Sequence, residues 1–516
     1  MSVEQGNSSN SSSNKALSDF LRLPLTKQQQ EIRVNQLQID SRAVQPGDMF
    51  IAYPGAAVDG RQFAKNAAAA GAACVLAETP VAEQEKQWLQ DLSCELITTD
   101  QLLLQVGTIA AEFYEHPSQS LDVIAVTGTN GKTSVTQLIT QALDILAGNA
   151  AVVGTLGNGP LKNLSDTANT TPGAMELQKL MAQFVADGIG SVALEASSHG
   201  LEQGRLQGMA IDTAVITNLS RDHLDFHGTM EAYQGAKEIL LHWPGLKHLV
   251  FNQDDRNVQA MVAKVAGSAK QLAFSLKNKQ ADLYANDILF TKHGLSFTLH
   301  YKDQIMPIQS RLVGEFNVAN LLVVIGILLL RQYSLVEIAK VVAQLEPIAG
   351  RMELISVDAG HGGLPMVVVD YAHTPDALQQ ALAAVRAPCS GQLWCVFGCG
   401  GDRDKGKRSM MGKVASQLAD KIILTNDNPR GENADLIFVD IKKGITPGAD
   451  FTVCADREAA INEAISEAAP NDWVLIAGKG HEDYQEIEGI KKDFSDTKTA
   501  QAALEKRRFQ SESSWT

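Results

Sequence analysis

The chain has 516 residues, 45% of them hydrophobic and 20% charged, with a formal net charge of −15. That length predicts roughly three domains of about 150 residues each, and the balance of aliphatic and charged residues is that of a globular protein. The acidic excess argues against nonspecific binding to nucleic acid or to an anionic membrane, while leaving room for a local cationic pocket.

Residues 1–14, rich in Ser and Asn, read as disordered. No basic-then-apolar leader pattern opens the sequence. The longest apolar run, Leu321–Leu330, is too short to span a bilayer. Both features predict a cytoplasmic protein without membrane insertion. Cys74, Cys94, Cys389, Cys395, Cys399 and Cys454 form no CxxC pair, as expected in a reducing compartment.

Residues 15–100 predict a small α/β domain. Pro46–Ala52 turns into a short strand, Phe63–Gly71 is an alanine-rich helix, and Ala73–Ala77 is a second strand. Asp40-Ser41-Arg42, near glycine turns, suits a phosphate or sugar and equally suits a surface turn. Gln101–Tyr114 reads as a linking helix that opens a central domain over residues 101–348.

In that domain Leu121–Thr127 is the β-branched run expected of a buried parallel strand, and Val135–Ile145 carries apolar residues at helical spacing. Between them lies Gly128-Thr129-Asn130-Gly131-Lys132-Thr133-Ser134. Glycines let backbone N–H groups approach an anion, the helix N-terminus adds positive potential, and Lys132 adds a cation. Thr133 would place a hydroxyl on a phosphate-bound Mg2+. Val126 stands where a strict Walker A pattern has its first glycine, so an ordinary strand-to-helix turn is the competing reading. A nucleoside triphosphate is the leading ligand.

Strands at Ala151–Gly154, Ser191–Glu195, Ile211–Thr217 and His248–Phe251, with a helix at Ala174–Asp187, imply a mostly parallel sheet with right-handed crossovers. Leu289–Leu312 reads as an antiparallel hairpin around Lys292-His293-Gly294. Pro347–Gly350 marks a second boundary. Residues 349–516 then form a Rossmann-like domain, with strands at Met366–Asp370, Leu393–Gly398, Lys421–Thr425 and Trp473–Ala477.

Polar clusters follow the strand ends, where open α/β sheets bind ligands. Glu195 is placed either to face Mg2+ or to cap a helix. Asn218–Gly228 contains Asp222, His223, Asp225 and His227, which suits a second metal position, with His223 the chosen ligand, or a nucleotide-facing loop. Lys237 reads as a surface lysine by composition alone. Farther on, Gly398–Arg408, Asp427-Asn428-Pro429-Arg430 and Gly478–Glu482 each follow a strand. Arg403 and Arg430 would grip a carboxylate and Glu482 an ammonium group, a combination suited to a zwitterionic amino acid.

Taken in order, GTNGKTS (128–134), NTTPG (169–173), LEASSHGL (194–201), TNLSRDHLDFHG (217–228), GEFNVAN (314–320), GRME (350–353), DYAHTPDAL (370–378), GCGGDRDKGKR (398–408), DNPR (427–430) and GKGHE (478–482) resemble the Mur ligase family from Asp40 to Glu482. The resemblance implies three α/β domains, for a UDP-sugar substrate, for ATP and for an incoming amino acid, and an ATP-dependent ligase of the peptidoglycan stem peptide. DNPR is similar to the signature of members that add meso-2,6-diaminopimelate to UDP-N-acetylmuramoyl-L-alanyl-D-glutamate. Arg430 could pair bidentately with the second carboxylate of diaminopimelate, which lysine lacks.

The resemblance also implies the site residues. Gly128–Ser134, Asn317, Asn320, Arg351, Asp370 and His373 match ATP-facing positions. Thr133, Glu195, His223 and Lys237 match the positions that hold two Mg2+ ions, with Lys237 carbamylated by CO2 to N6-carboxylysine. Lys132, His223 and Lys237 carry the catalytic assignment. Ser41, Thr170, Thr171, Ser197, Gln203 and Arg205 match the UDP-substrate site, and Arg403, Asp427, Asn428, Pro429, Arg430, Gly478 and Glu482 match the amino-acid site. Gly55-Ala56-Ala57-Val58 departs from the polar residues common in relatives and leaves the uridine contacts open. A monomer is expected. Lysine-adding or folylpolyglutamate-type amide ligases are the neighbouring alternatives; a non-enzymatic nucleotide-binding regulator is disfavoured by polar strand-end loops in all three domains.

Overall fold

The structure is a computed structural model that describes residues 14–513 apart from 56–57, 81, 266, 292–293, 356 and 358–362. The Ser/Asn-rich start up to residue 13, Ala56-Ala57 and the hairpin tip Lys292-His293 lie outside the described residues.

Apolar, β-branched runs become central strands covered on both faces. Val123–Val126 are fully buried within the Asp122–Thr127 strand. This strand sits inside a ten-stranded sheet ordered Gln304–Ser310, Gly294–Tyr301, Leu283–Thr291, Lys270–Ser275, His248–Asn252, Thr213–Ile216, Asp122–Thr127, Ser191–Glu195, Ala150–Gly154 and Gly157–Gly159. Thr213–Ile216 pairs in parallel with both neighbours, with Ile216 level with Thr127. The loops at Gly128 and Asn218 therefore leave the sheet at the same edge. The last strands at either end are antiparallel. The expected hairpin is thus a three-stranded meander that begins six residues earlier, at Leu283 rather than Leu289. The apolar run Leu321–Leu330 lies in the Glu315–Leu330 helix, whose Leu321–Leu328 stretch is buried in the core of this sheet.

A six-stranded sheet follows, ordered Glu353–Ile355, Met366–Asp370, Trp473–Ala477, Leu393–Phe397, Lys421–Leu424 and Phe451–Val453. All its pairs are parallel except the first. Separate apolar clusters cover its two faces. A four-stranded parallel sheet (Leu37–Gln38, Met49–Ala52, Cys74–Glu78, Glu95–Thr99) lies near the N-terminus.

The described residues group into two compact units. One comprises residues up to Val123 with Ala168–Val192 and His199–Ile211; the other comprises Ile124–Thr167, Ala193–Ser198 and the chain from Asp212 onward. The Leu102–Phe113 helix is not a free linker. Its apolar stripe, Leu102, Val106, Ile109, Ala110 and Phe113, joins the N-terminal core, because that stripe needs an apolar partner. Among the described residues no helix is long and apolar enough to cross a membrane, and all six cysteines are free thiols.

Candidate active site

The glycine loop is shaped by its neighbours. Gly128 has φ +144° and Gly131 φ +88°. A Cβ on Gly128 would stand 2.0 Å from Thr217 Oγ1, so no other residue fits between the two strand ends. Gly131 begins the Lys132–Ala147 helix. Lys132 Nζ folds back to donate to Gly128 O and Thr129 O, both at 3.0 Å.

Thr133, on the first turn, donates from Oγ1 to Glu195 Oε2 at 3.0 Å. Glu195 is 1% exposed, and Thr155 N donates to its other oxygen at 2.8 Å. Arg351 Nη2 reaches the same threonine hydroxyl at 3.0 Å, with its guanidinium over the Tyr371 ring. Arg351 Nε is buried without a hydrogen-bond partner.

Lys237 is not the surface lysine that its composition suggests. It is 1% exposed, on the inward face of the Met230–Leu241 helix beside Tyr233 and Leu240. Its ammonium donates to Gly128 O at 2.8 Å and lies 4.5 Å from the Tyr233 ring centroid. Burial, helped by the nearby Lys132 charge and opposed by Asp222, pushes the Lys237 amine well below the ordinary lysine range. Burial also lowers Lys132, against the pull of Glu195 and Asp222.

His223 takes a left-handed backbone, φ +53°, and its Nε2 lies 3.4 Å from Asp222 Oδ2. The same oxygen is 3.7 Å from His373 Nε2. Burial alone would raise the Asp222 carboxyl, but His373, His223 and Lys407 outweigh it and hold the group well below the carboxylate range. Asp222, one of the acids of the Asn218–Gly228 cluster, thus lies beside both histidines.

Among the remaining ATP-facing candidates, Asn320 donates to Asn317 Oδ1 at 2.9 Å, and both side chains are buried. Asn317 and Arg351 line a cleft with Leu312, Pro347, Met352 and Leu354. Asp370 accepts from Met352 N and Ala372 N, at 2.7 and 2.8 Å, so its carboxylate ties the chain after Arg351 to its own strand end. Burial raises the Asp370 carboxyl, against Arg351 and those two N–H donors. Asn130 Nδ2 donates to Asp376 Oδ2 at 3.0 Å, so the glycine loop touches the helix that follows His373.

Several of the proposed UDP-substrate residues cluster around Arg205. In the first unit Arg205 donates to Thr171 O at 2.8 Å and to Gln203 Oε1 at 3.0 and 2.6 Å. Ser41 and Thr170 are half-buried in that unit, whereas Ser197 belongs to the second.

At the six-stranded sheet, three loops meet. Arg430 has φ +53°, a strained backbone for a non-glycine residue, and donates from Nη1 to Gly401 O at 3.0 Å. Its Nε lies 3.6 Å from Glu486 Oε2. A Cβ on Gly400 would stand 2.9 Å from Arg430 Nη1 and 3.7 Å from Arg403 Cγ, so this glycine separates the two arginines. Arg403 itself is exposed. Asn428 Nδ2 donates to Glu482 Oε2 at 2.9 Å, and Gly478, φ +119°, leaves room for Asp427. Lys479 and Arg457 also sit in this network and were missed. Lys479 stands inside the quoted GKGHE motif, whereas Arg457 has no sequence signal.

Among the described residues no group of three or more His, Cys, Asp or Glu is arranged to hold a metal ion. A glycine loop between parallel strand and helix, with two lysines and a buried carboxylate converging on it, defines a nucleotide-binding α/β protein of the P-loop type.

The chain belongs to the Mur ligase family. Its residues 33–114, 126–328 and 350–480 match the family models for the Mur ligase family catalytic domain, the Mur ligase middle domain and the Mur ligase glutamate ligase domain. It is 45% identical to a UDP-N-acetylmuramoyl-L-alanyl-D-glutamate--2,6-diaminopimelate ligase of Pseudomonas putida, over 91% of this chain and 95% of that one. The like-named ligase of Pseudomonas aeruginosa is 44% identical, over 92% and 96%. A solved structure of a ligase of that name superposes with a TM-score of 0.69 at 37% identity, covering 96% of this chain and 99% of that one. MurF from Thermotoga maritima in complex with ADP shares the fold, with a TM-score of 0.64 at 17% identity over 92% and 98%.

Proposed function

We propose that this chain is an ATP-dependent ligase joining meso-2,6-diaminopimelate to the D-glutamyl γ-carboxylate of UDP-N-acetylmuramoyl-L-alanyl-D-glutamate. The observation that carries the reading is the Asp427–Arg430 loop, closed on Glu482 through Asn428, in a chain 45% identical to ligases of that name. Arg430 and Glu482 offer one cation and one anion to the carboxylate and ammonium at the far end of diaminopimelate.

A carboxylate oxygen is a poor leaving group, so the γ-carboxylate is first activated. It attacks the γ-phosphorus of ATP, giving an acyl phosphate and ADP. The amine of diaminopimelate then adds to the acyl carbon and gives up a proton, and phosphate leaves from the tetrahedral intermediate. No side-chain nucleophile is required. Catalysis rests on positioning and on charge neutralisation. The Gly128–Ser134 loop and Lys132 would cradle the β- and γ-phosphates, with Arg351 held beside them through its contact to Thr133. The cleft beside Asn317 and Arg351 suits the rest of the nucleotide.

Thr133 and Glu195 supply a hydroxyl and a carboxylate, hard oxygen donors that would hold Mg2+. His223 and a carbamylated Lys237 would hold a second ion. Bound Mg2+ neutralises charge on the transferring phosphoryl group. In this reading residues 15–100, 101–348 and 349–516 serve UDP-substrate, ATP and amino acid, with Ser41, Thr170, Thr171, Ser197, Gln203 and Arg205 on the first substrate, in a cytoplasmic monomer.

Phosphate release with a panel of amino acids, including lysine and the diaminopimelate stereoisomers, tests the proposal. Release should require both the UDP-muramoyl dipeptide and an amino acid, and be fastest with meso-diaminopimelate. Equal hydrolysis without either substrate would overturn the ligase reading. Equal use of lysine would overturn the choice of amino acid.

A further inference from the structure

Lys479 is a lysine with no exposed surface. Its ammonium donates to Asn428 Oδ1 at 3.0 Å and to Glu482 Oε2 at 3.0 Å, and stands 3.8 Å from Asp427 Oδ1. Three residues assigned to the amino-acid site thus surround one buried cation. A buried ammonium is costly unless paired, so these contacts are the condition for its being there.

The turn that delivers it is tightly determined. Gly478 and Gly480 both have positive φ, +119° and +53°. A Cβ on Gly480 would meet Gly350 O at 2.6 Å, and one on Gly478 would meet Asp427 Oδ2 at 3.0 Å. Below the turn, Arg457 donates to Asn426 O at 3.2 Å and to Ala477 O at 3.0 Å, the residues immediately before the two loops. Arg457 in turn pairs with Asp496, both fully buried. The floor of the site is therefore fixed, and Lys479 is the cation that reaches up from it.

The hydrogen bonds divide Glu482 unequally. Asn428 Nδ2 and Lys479 Nζ both bind Oε2, while the side chain keeps 18% exposure. We propose that Lys479 is a positioning residue for the incoming amino acid, clamping one oxygen of Glu482 so that the other is presented to the substrate's second ammonium group. It also offsets the charge of two neighbouring carboxylates, Asp427 and Glu482, so that a zwitterion meets a site held in one geometry.

The inference rests on the proposed ligase reading, and one comparison separates the two. 2-Aminopimelate keeps both carboxylates of diaminopimelate but lacks the second ammonium. In the full-length enzyme, Lys479→Met should raise the KM for diaminopimelate by about tenfold or more, with kcat at saturation and the KM for ATP unchanged. Its affinity for 2-aminopimelate, measured as a competing ligand, should change by less than about threefold, and Lys479→Arg should restore much of the loss. Lys479→Gln, which keeps a donor of similar reach, carries the same comparison where the methionine variant does not fold, as judged by ADP binding. Equal losses for both amino acids, or no loss for either, would overturn the positioning role. Failure of the unaltered enzyme to use diaminopimelate would instead overturn the ligase reading.

Discussion

Lys132 and Lys237 share one acceptor: both ammonium groups donate to Gly128 O, at 3.0 and 2.8 Å. Burial, with the Lys132 charge at the same carbonyl adding to it, drives the Lys237 amine toward its neutral form. Only a neutral amine adds to CO2. The expected result is a carbamate carbonyl signal in the 13C NMR spectrum of protein equilibrated with 13C-bicarbonate, absent from Lys237→Ala. Activity of that variant should fall by about 100-fold or more, without rescue by bicarbonate. Full activity in Lys237→Ala would remove the residue from the site.

Arg430 spends Nη1 on Gly401 O and turns Nε toward Glu486, which leaves Nη2 for a substrate carboxylate. Arg430→Ala should lower kcat/KM for diaminopimelate by about 10²-fold, the loss expected for a charge-assisted pair worth about 3 kcal/mol. The KM for ATP should not move. Steady-state kinetics with each substrate varied in turn checks this, and unchanged diaminopimelate kinetics would contradict the assignment.

A methyl group tests the Mg2+ assignment. A Cβ on Gly154 would stand 2.2 Å from Glu195 Oε1 and 2.8 Å from Cδ, so Gly154→Ala must shift the carboxylate off Thr133. The Mg2+ concentration for half-maximal activity should rise by about tenfold, measured by Mg2+ titration at saturating ATP. An unaltered Mg2+ dependence in the folded variant would mean that Glu195 is not a ligand.

The strand-loop-helix around Gly128 was legible because burial, glycine spacing and helical periodicity agree there. The Asp427–Arg430 loop was legible as a polar strand-end loop suited to an amino acid, while the choice of diaminopimelate came only through resemblance. The burial of Lys237 had a signal: Tyr233 and Leu240, four before and three after, share its helix face. A charged residue on an apolar stripe was instead read by composition. Residues 168–192 and 199–211 join the first unit through contacts distant in sequence. The approach of Gly107 to Gln207, where a Cβ would stand 2.2 Å from a carbonyl oxygen, carries no local pattern. Periodicity finds elements, but which core an amphipathic helix joins is decided by such partners.

Glu432 should govern acid stability of the loop around Arg403. Its two oxygens accept from Arg408 Nη1 and Nη2 at 2.8 and 2.7 Å, and Lys405 adds an ion pair at 3.2 Å. The Arg408 hydrogen bonds pull the Glu432 carboxyl down to about 2 from an ordinary 4.5. Because the folded value lies below the unfolded one, this stabilisation is complete above about pH 4.5 and is lost as pH falls toward 2. Glu432→Gln leaves the fully buried Arg408 with Asp440 as its remaining carboxylate and should lower Tm by a few degrees at pH 7. That gap should shrink as pH falls below about 4.5, since protonating the natural residue makes the same change. Calorimetry of both proteins at pH 7, 4.5 and 3.5 measures it, and a gap that stays constant would show that the carboxylate charge is not what holds Arg408.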